Sequence, residues 1–403
     1  MKISLSNNKL FTILIICLPF FQQYASIISG VSLGEFLLLP FFLLIIVFVL
    51  PKDMSILLKN ELFLLLIWSL FSTLLSAFFQ PHVSIISAII TLSRVFFYYC
   101  LAFLGGKNLF DWKLGFKFYK IMVSIFTIYL FFQVFFRSAF GVALPWYISF
   151  LPLNVKGDYT GIDFTMFFND FYRPYSLFLE PGYYAQYAIP CLVISLFNKK
   201  YLSFWFSIFI SVGLLLSTSG QGILIASFIW VVFVFNQLIT LKKEKIAYFL
   251  ILTIPVTLVL INIMNKEFFQ RSIGRLFTPG TGSAELRIYQ GFTIFGSLTF
   301  IEKLIGIGFN NIQEYITSSA LYGITTPYMN SLSFILMSTG VLGGLILTKF
   351  FIKTFFKVNL QSKVLLLCFG ILCMVSGILT SATSVLYLLF SQKLKNEDHI
   401  YEE

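Results

Sequence analysis

The sequence predicts an all-α, polytopic integral membrane protein of about 11–12 transmembrane helices, with two long external loops that carry short helices. Composition, hydropathy and the length of the apolar runs carry that prediction. Of 403 residues, 58% are apolar and only 11% are charged, against roughly 25% charged in an ordinary soluble protein. Phe alone supplies 51 residues, and the mean hydropathy is +0.89. The apolar residues come in runs of about 20, the length that crosses a hydrocarbon core. Backbone groups in lipid must be satisfied within each segment, so these runs are helices. A soluble enzyme, a disordered chain, a nucleic-acid module and a secreted disulfide scaffold are excluded, because too few charges remain to make a solvated surface. The net charge of +11 has another origin, since cytoplasmic loops of membrane proteins concentrate Lys and Arg. Cys17, Cys100, Cys191, Cys368 and Cys373 all fall in apolar runs. They read as small core residues rather than disulfide or metal ligands.

In chain order, the spans are expected at 10–29, 31–50, 61–79, 83–104, 118–136, 182–197, 201–217, 222–240, 246–264 and 328–348. The run 364–390 is too long for one upright helix. It is either one tilted helix or two short ones broken near Gly377. Lys2 and Lys9 before the first span resemble a signal peptide, but further spans follow, so an uncleaved first helix is expected. Lysines then mark alternate loops: Lys52 and Lys59, Lys107, Lys113 and Lys117, Lys199 and Lys200, Lys242, Lys243 and Lys245, and Lys349 to Lys363 after span ten. The positive-inside rule makes that side, and the N-terminus, cytoplasmic. Lys393 and Lys395 share that side only with twelve spans. The whole chain, 1–403, then forms one membrane domain with external loops at 137–181 and 265–327. The first loop is rich in aromatic residues and Pro. The second contains a helix start at Ser283, with Glu285 in its first turn.

Arginine is distributed differently from lysine. Of Arg94, Arg137, Arg173, Arg271, Arg275 and Arg287, all but Arg94 lie in the two external loops. The orientation rule does not separate the two cations, but a planar guanidinium engages phosphate and carboxylate in a bidentate way that Lys does not. Any single Arg could equally pair with Asp163, Asp170, Glu267 or Glu285 and merely hold a loop. As a set, the arginines point to an external site for an anionic, phosphorylated ligand. Arg94 falls in mid-span four, where a charge usually faces a cavity or a partner. Its options are a lipid phosphate or Glu35.

Short motifs accompany the arginines. In the stretch Arg173-Pro-Tyr-Ser-Leu-Phe-Leu-Glu180-Pro-Gly-Tyr-Tyr-Ala185, Pro181 and Gly182 suit a helix start and place Glu180 at a helix N-terminus near the membrane surface. A small polar turn, Ser217-Thr-Ser-Gly-Gln-Gly222, joins two spans. Glu285-Leu-Arg287, Ile305-Gly-Ile-Gly-Phe-Asn-Asn311, Asn330-Ser-Leu332 and Gly340-Val-Leu-Gly-Gly344 follow. The G-x-G at 306–308 follows no strand, so it does not read as a nucleotide loop.

Taken in order over about 170–345, and with the two long loops, these pieces resemble the family of O-antigen and capsular polysaccharide polymerases and O-antigen ligases. The resemblance implies an enzyme of the bacterial cytoplasmic (inner) membrane that makes capsule, exopolysaccharide or lipopolysaccharide. It would join undecaprenyl-diphosphate-linked oligosaccharides at the outer face, with lipid diphosphate as leaving group and with no metal, nucleotide sugar or other cofactor. Carried onto the matching positions, Arg173 and Arg287 would neutralise the leaving diphosphate. Glu180 would be the first candidate for proton acceptor, ahead of Asp170 and Glu285. Arg271, Arg275, Arg94, Asn330 and Tyr183 are expected among the substrate contacts, and Trp146, Tyr159, Tyr172 and Tyr183 either stack on sugars or anchor at the interface. The family often has Arg in the polar turn, where this chain has Gln221. Ligases carry a His before the Asn of span ten, where this chain has Tyr328 and Met329. The polymerase is therefore preferred to a ligase that transfers polysaccharide to a lipid or protein acceptor. Besides the lipid-linked oligosaccharides and the bilayer, chain-length regulator and flippase proteins are the expected partners, and nucleic acid is not. A secondary transporter or flippase should show charged or broken helices near the bilayer midplane. A purely structural subunit would not need the clustered external arginines.

Overall fold

The computed structural model describes residues 5–80, 83–154, 173–198, 201–240, 288–318 and 329–397, and these are overwhelmingly helical. The protein is an all-α polytopic membrane protein. Six helical stretches among the described residues are long and apolar enough to cross a membrane: Leu33–Ser55, Glu61–Phe79, Ile85–Asn108, Trp112–Phe140, Gly220–Ile239 and Ser331–Phe355. Asn7–Phe21, Phe204–Leu216 and Leu360–Val375 are shorter apolar helices. Side chains such as Ile86, Phe78 and Trp205 lie on exposed apolar faces, the surface that lipid covers. The expected span 246–264 and the helix start at Ser283 lie outside the described residues.

Several of the helices begin at side-chain caps. Helix α1 (Leu5–Phe21) is followed by α2 (Leu33–Leu44), which opens on a capping box between Ser32 and Glu35. A five-residue π segment, Ile45–Val49, carries α2 into α3 (Leu50–Leu58), whose first turn contains Pro51. A proline ring inside a helix collides with the carbonyl of residue i−4 and donates no hydrogen bond, so a wider turn before Pro51 relieves that collision. Asn60 caps α4 (Glu61–Phe79) and Ser84 caps α5 (Ile85–Cys100). A second π segment, Leu101–Gly105, and the short α6 (Gly106–Asn108) continue α5. Next come α7 (Trp112–Phe140), α8 (Pro181–Phe197), α9 (Phe204–Leu216) and α10 (Gly220–Thr240). The short helices α11 (Gln290–Ser297), α12 (Phe300–Ile305) and α13 (Ile312–Ser318) lie in the second long loop. The chain ends with α14 (Ser331–Phe355), α15 (Leu360–Val375), a 3-10 turn at Ile378–Thr380, and α16 (Ser384–Glu397). The 364–390 run is thus two helices, interrupted around Gly377. Helix α7 extends to Phe140, so Arg137 sits in its last turn rather than in a loop. There Arg137 Nη1 donates to the Gly141 carbonyl at 2.8 Å.

The chain divides into two compact units. The first comprises 1–120, 150–157 and 285–403. Within it α4 packs on α14, with α12 against both, and α15 packs on α16. Helix α14 is broken at Gly340 (φ 69°, ψ −173°), and the turn after α12 fills the break. Ile307 N donates to Met337 O (2.9 Å), and Trp68 Nε1 donates to Thr339 O (2.9 Å). Ser72 Oγ meets Ile305 O and Ser338 O, and Ser76 Oγ donates to Gly306 O (3.0 Å). The buried Ser69, Ser72, Thr73 and Ser76 form one face of α4. That small polar stripe supplies the donors that irregular backbone needs at membrane depth.

The second unit comprises 121–149 and 158–284. Its described helices are the greater part of α7, with α8, α9 and α10. Helix α8 is buried along nearly its whole length and packs on α9 and α10.

Candidate functional site

The second unit contains the stretch that the sequence singles out. Gln133 lies in the C-terminal third of α7, fully buried among apolar residues. A buried amide must find partners, and this one clasps the backbone of Ser176. Gln133 Nε2 donates to Ser176 O (3.0 Å), and Ser176 N donates to Gln133 Oε1 (2.7 Å). Ser176 Oγ donates to Phe126 O (2.7 Å), and Ser176 itself has φ 58°. Tyr175 and Phe178 are buried beside it, and the Phe178 ring meets Phe126 edge-on at 4.9 Å and Tyr187 at 5.4 Å. The chain between Arg173 and Glu180 is therefore fixed to α7 rather than looping freely.

This anchoring sets Glu180 at the start of α8. Glu180 is extended (φ −142°, ψ 153°), with Pro181 in the first turn that follows. Its carbonyl accepts from Tyr183 N at 3.0 Å, while its carboxylate makes no capping bond to its own helix. The proline is favourable there because its missing N–H is one of the unsatisfied donors of a first turn. Glu180 and Arg173 are half-buried, and Tyr183 is 41% exposed on the next turn.

The polar turn 217–222 meets the same place. Arg173 Nε donates to Thr218 Oγ1 at 3.4 Å. A Cβ on Gly182 would lie 2.5 Å from Gln221 Nε2, and one on Gly222 would lie 2.7 Å from Ala185 Cβ. The first turns of α8 and α10 are thus in contact. Two helix N-termini, each the positive end of a helix dipole, converge beside one guanidinium. The Tyr184 hydroxyl and Thr127 Oγ1 share a hydrogen bond of 2.8 Å beneath Gly213, which joins α7, α8 and α9 below this corner. The arrangement can hold an anion, and Glu180 stands at the start of one of the two helices.

The remaining expected residues fall elsewhere. Arg271, Arg275 and Arg287 lie outside the described residues, as do Asp170, Glu285, Tyr159 and Tyr172. Arg94 and Asn330 belong to the first unit. Arg94 Nε pairs with Glu35 Oε1 at 2.8 Å, and Arg94 also donates to Gly30 O. Glu35 further accepts from Tyr98 Oη (2.5 Å) and from Ser32 N (2.8 Å). Of the two options for Arg94, the structure has the pair with Glu35. Asn330 caps α14 through Ser333 N (2.8 Å), and its Nδ2 donates to Ile288 O (3.4 Å), the residue after Arg287. Trp146 is buried against Tyr147 rather than open to a sugar. The Gly306–Asn311 turn is held by Asn311 Oδ1, which accepts from Ser84 N (2.6 Å), and by Asn310 Nδ2, which donates to Ser87 Oγ (2.8 Å). On α13, burial and then the Glu302 carboxylate raise the Tyr315 phenol above its ordinary pKa, so it stays protonated. Gln133 belongs to no motif of the sequence, and Ser176 and Thr218 lie inside motifs without an expected role of their own. A lone Gln inside an apolar span was the available signal for the first. No group of three or more His, Cys, Asp or Glu suited to a metal occurs among the described residues.

Set beside known proteins, the chain matches no family model, and a search of curated proteins finds no significant relative. The class defined by the fold is a multi-pass helical membrane protein.

Proposed function

We propose that this protein is a polysaccharide polymerase of the bacterial cytoplasmic membrane. It joins undecaprenyl-diphosphate-linked oligosaccharide repeat units at the outer face, with the N-terminus in the cytoplasm. The observation that carries this reading is the convergence of Arg173, the Thr218 turn and the Glu180 helix start in one corner of the second unit. In the reaction, an acceptor hydroxyl forms a bond to the anomeric carbon of the donor as that carbon's bond to the lipid diphosphate breaks. Negative charge grows on the departing diphosphate, and Arg173 with the two helix N-termini stabilises it there. The acceptor proton passes to Glu180, the carboxylate nearest the corner in sequence. Tyr183, exposed one turn along α8, is placed to contact sugar or interface.

The same chemistry serves a ligase, whose acceptor differs. The break in α14 is the feature that would favour a transporter. Its carbonyls, however, accept from Trp68, Ser72 and Ile307 and are not left for a coupling ion.

The test uses purified protein in lipid with lipid-linked repeat units, and product length is read on gels. Arg173→Ala should abolish polymer while expression and elution remain normal. Arg173→Lys should fail too, because a point charge does not reproduce the bidentate fork. Arg287→Ala, implicated by the motif resemblance, should behave alike, and Arg271→Ala and Arg275→Ala should be milder. Full-length polymer from Arg173→Ala would overturn the clamp.

A further inference from the structure

Where α4 begins and α14 ends, the first unit opens a cavity of about 520 Å³. Its inner wall is apolar, made by Phe103, Phe350 and Leu388, all buried. Lys59, Lys353 and Lys357 are the lining residues that carry positive charge, against a single carboxylate, Glu61, which leaves a net +2. Lys353 is committed, because it pairs with Glu61 and also donates to Lys59 O at 3.3 Å. Lys59 and Lys357 are exposed and meet no acidic partner among the described residues. An unneutralised cationic lining above an apolar wall, at the ends of two spans, lies at the level of lipid headgroups.

We infer that this cavity binds an anionic phospholipid from the lysine-rich leaflet. Lys59 and Lys357 hold the headgroup phosphate, and Phe103, Phe350 and Leu388 receive the first acyl carbons. The apolar wall decides between a lipid and a free phosphate. A soluble anion gains from the lysines but leaves that wall uncovered, whereas an acyl chain removes its apolar surface from water. Basic pockets between membrane helices on the cytoplasmic side recognise acidic headgroups by this combination. The inference does not depend on the polymerase reading and concerns a different unit, so either can fail alone.

Native mass spectrometry of the delipidated full chain in neutral detergent tests it, with phosphatidylglycerol, phosphatidylcholine and inorganic pyrophosphate as the added probes. Wild-type protein should retain phosphatidylglycerol over phosphatidylcholine, and pyrophosphate should not displace it. Each lysine near an acidic headgroup contributes about fivefold, so Lys59→Ala with Lys357→Ala should weaken retention by about thirtyfold. Lys117→Ala, outside the cavity, should not. Val358→Trp keeps both lysines but fills the cavity and should also exclude the lipid, which guards against a double variant that folds poorly. Undiminished retention in both the double variant and Val358→Trp would overturn the site. Displacement by pyrophosphate at equal concentration would overturn the lipid in favour of a free anion.

Discussion

Gly340 offers the sharpest test of the fold, because its environment penalises a single added methyl group in two ways. Its backbone (φ 69°, ψ −173°) lies in a region that only glycine occupies readily. An alanine held there carries about 1–3 kcal/mol of strain. The new Cβ would also sit 2.7 Å from Ile305 N, and closer still to the Leu304 carbonyl. Those atoms are backbone and cannot swing aside as a side-chain tip would. Overpacking of that kind costs about 1–3 kcal/mol, so Gly340→Ala should lose about 2–6 kcal/mol in total. Gly306, on the opposing turn, has the same conformation (φ 88°, ψ 178°), and a Cβ there would lie 2.5 Å from Thr339 N, so Gly306→Ala should do likewise. The assay is thermal unfolding of detergent-purified protein followed by tryptophan fluorescence. With about 2.1 cal/mol/K of unfolding entropy per residue, the expected drop in Tm is about 2–7 °C. Gly296→Ala is the control, since nothing lies within 4 Å of its Cβ position, and it should leave Tm unchanged or slightly raised. A Gly340→Ala protein that melts with the wild type would show that the turn after α12 does not fill the break in α14.

Three further outcomes are expected. Glu180→Gln should lower polymerisation about 10²–10⁴-fold if the carboxylate takes the proton, yet still bind donor lipid in a pull-down; wild-type rates would move the search to Asp170 and Glu285. Glu35→Ala should destabilise by about 2–4 kcal/mol in urea or thermal unfolding, because buried Tyr98 and Ser32 N lose their acceptor along with Arg94. Glu35→Gln should cost less, since an amide still accepts from Ser32 N, and equal losses for the two would refute the assignment. Cysteines placed at Ser138 and Ser319 should react with an impermeant reagent in intact cells, or in spheroplasts where an outer membrane intervenes, and protection of both until lysis would reverse the topology.

By itself the sequence determined the membrane architecture and much of its segmentation. Lipid requires each span to satisfy its own backbone, so each span is written locally as an apolar run with its cap. The start of α8 at Pro181 was legible for that reason, and the interruption near Gly377 was one of the two options the run 364–390 left open, while the cap at Asn330 was not read as one. The π segments were not legible, and around the second of them Phe11 and Leu389, distant in sequence, lie close against Gly105 and Gly106. Only tertiary structure decided which polar groups meet. Arg173 finds Thr218 across 45 positions, Gln133 finds Ser176 across 43, and Arg94 pairs with Glu35. The cationic cavity draws its residues from the start of α4, the second π segment, the end of α14 and α16. An apolar helix face serves equally against lipid or another helix, so the sequence carries no strong signal for which faces touch. The few buried polar side chains make that choice once the helices are assembled.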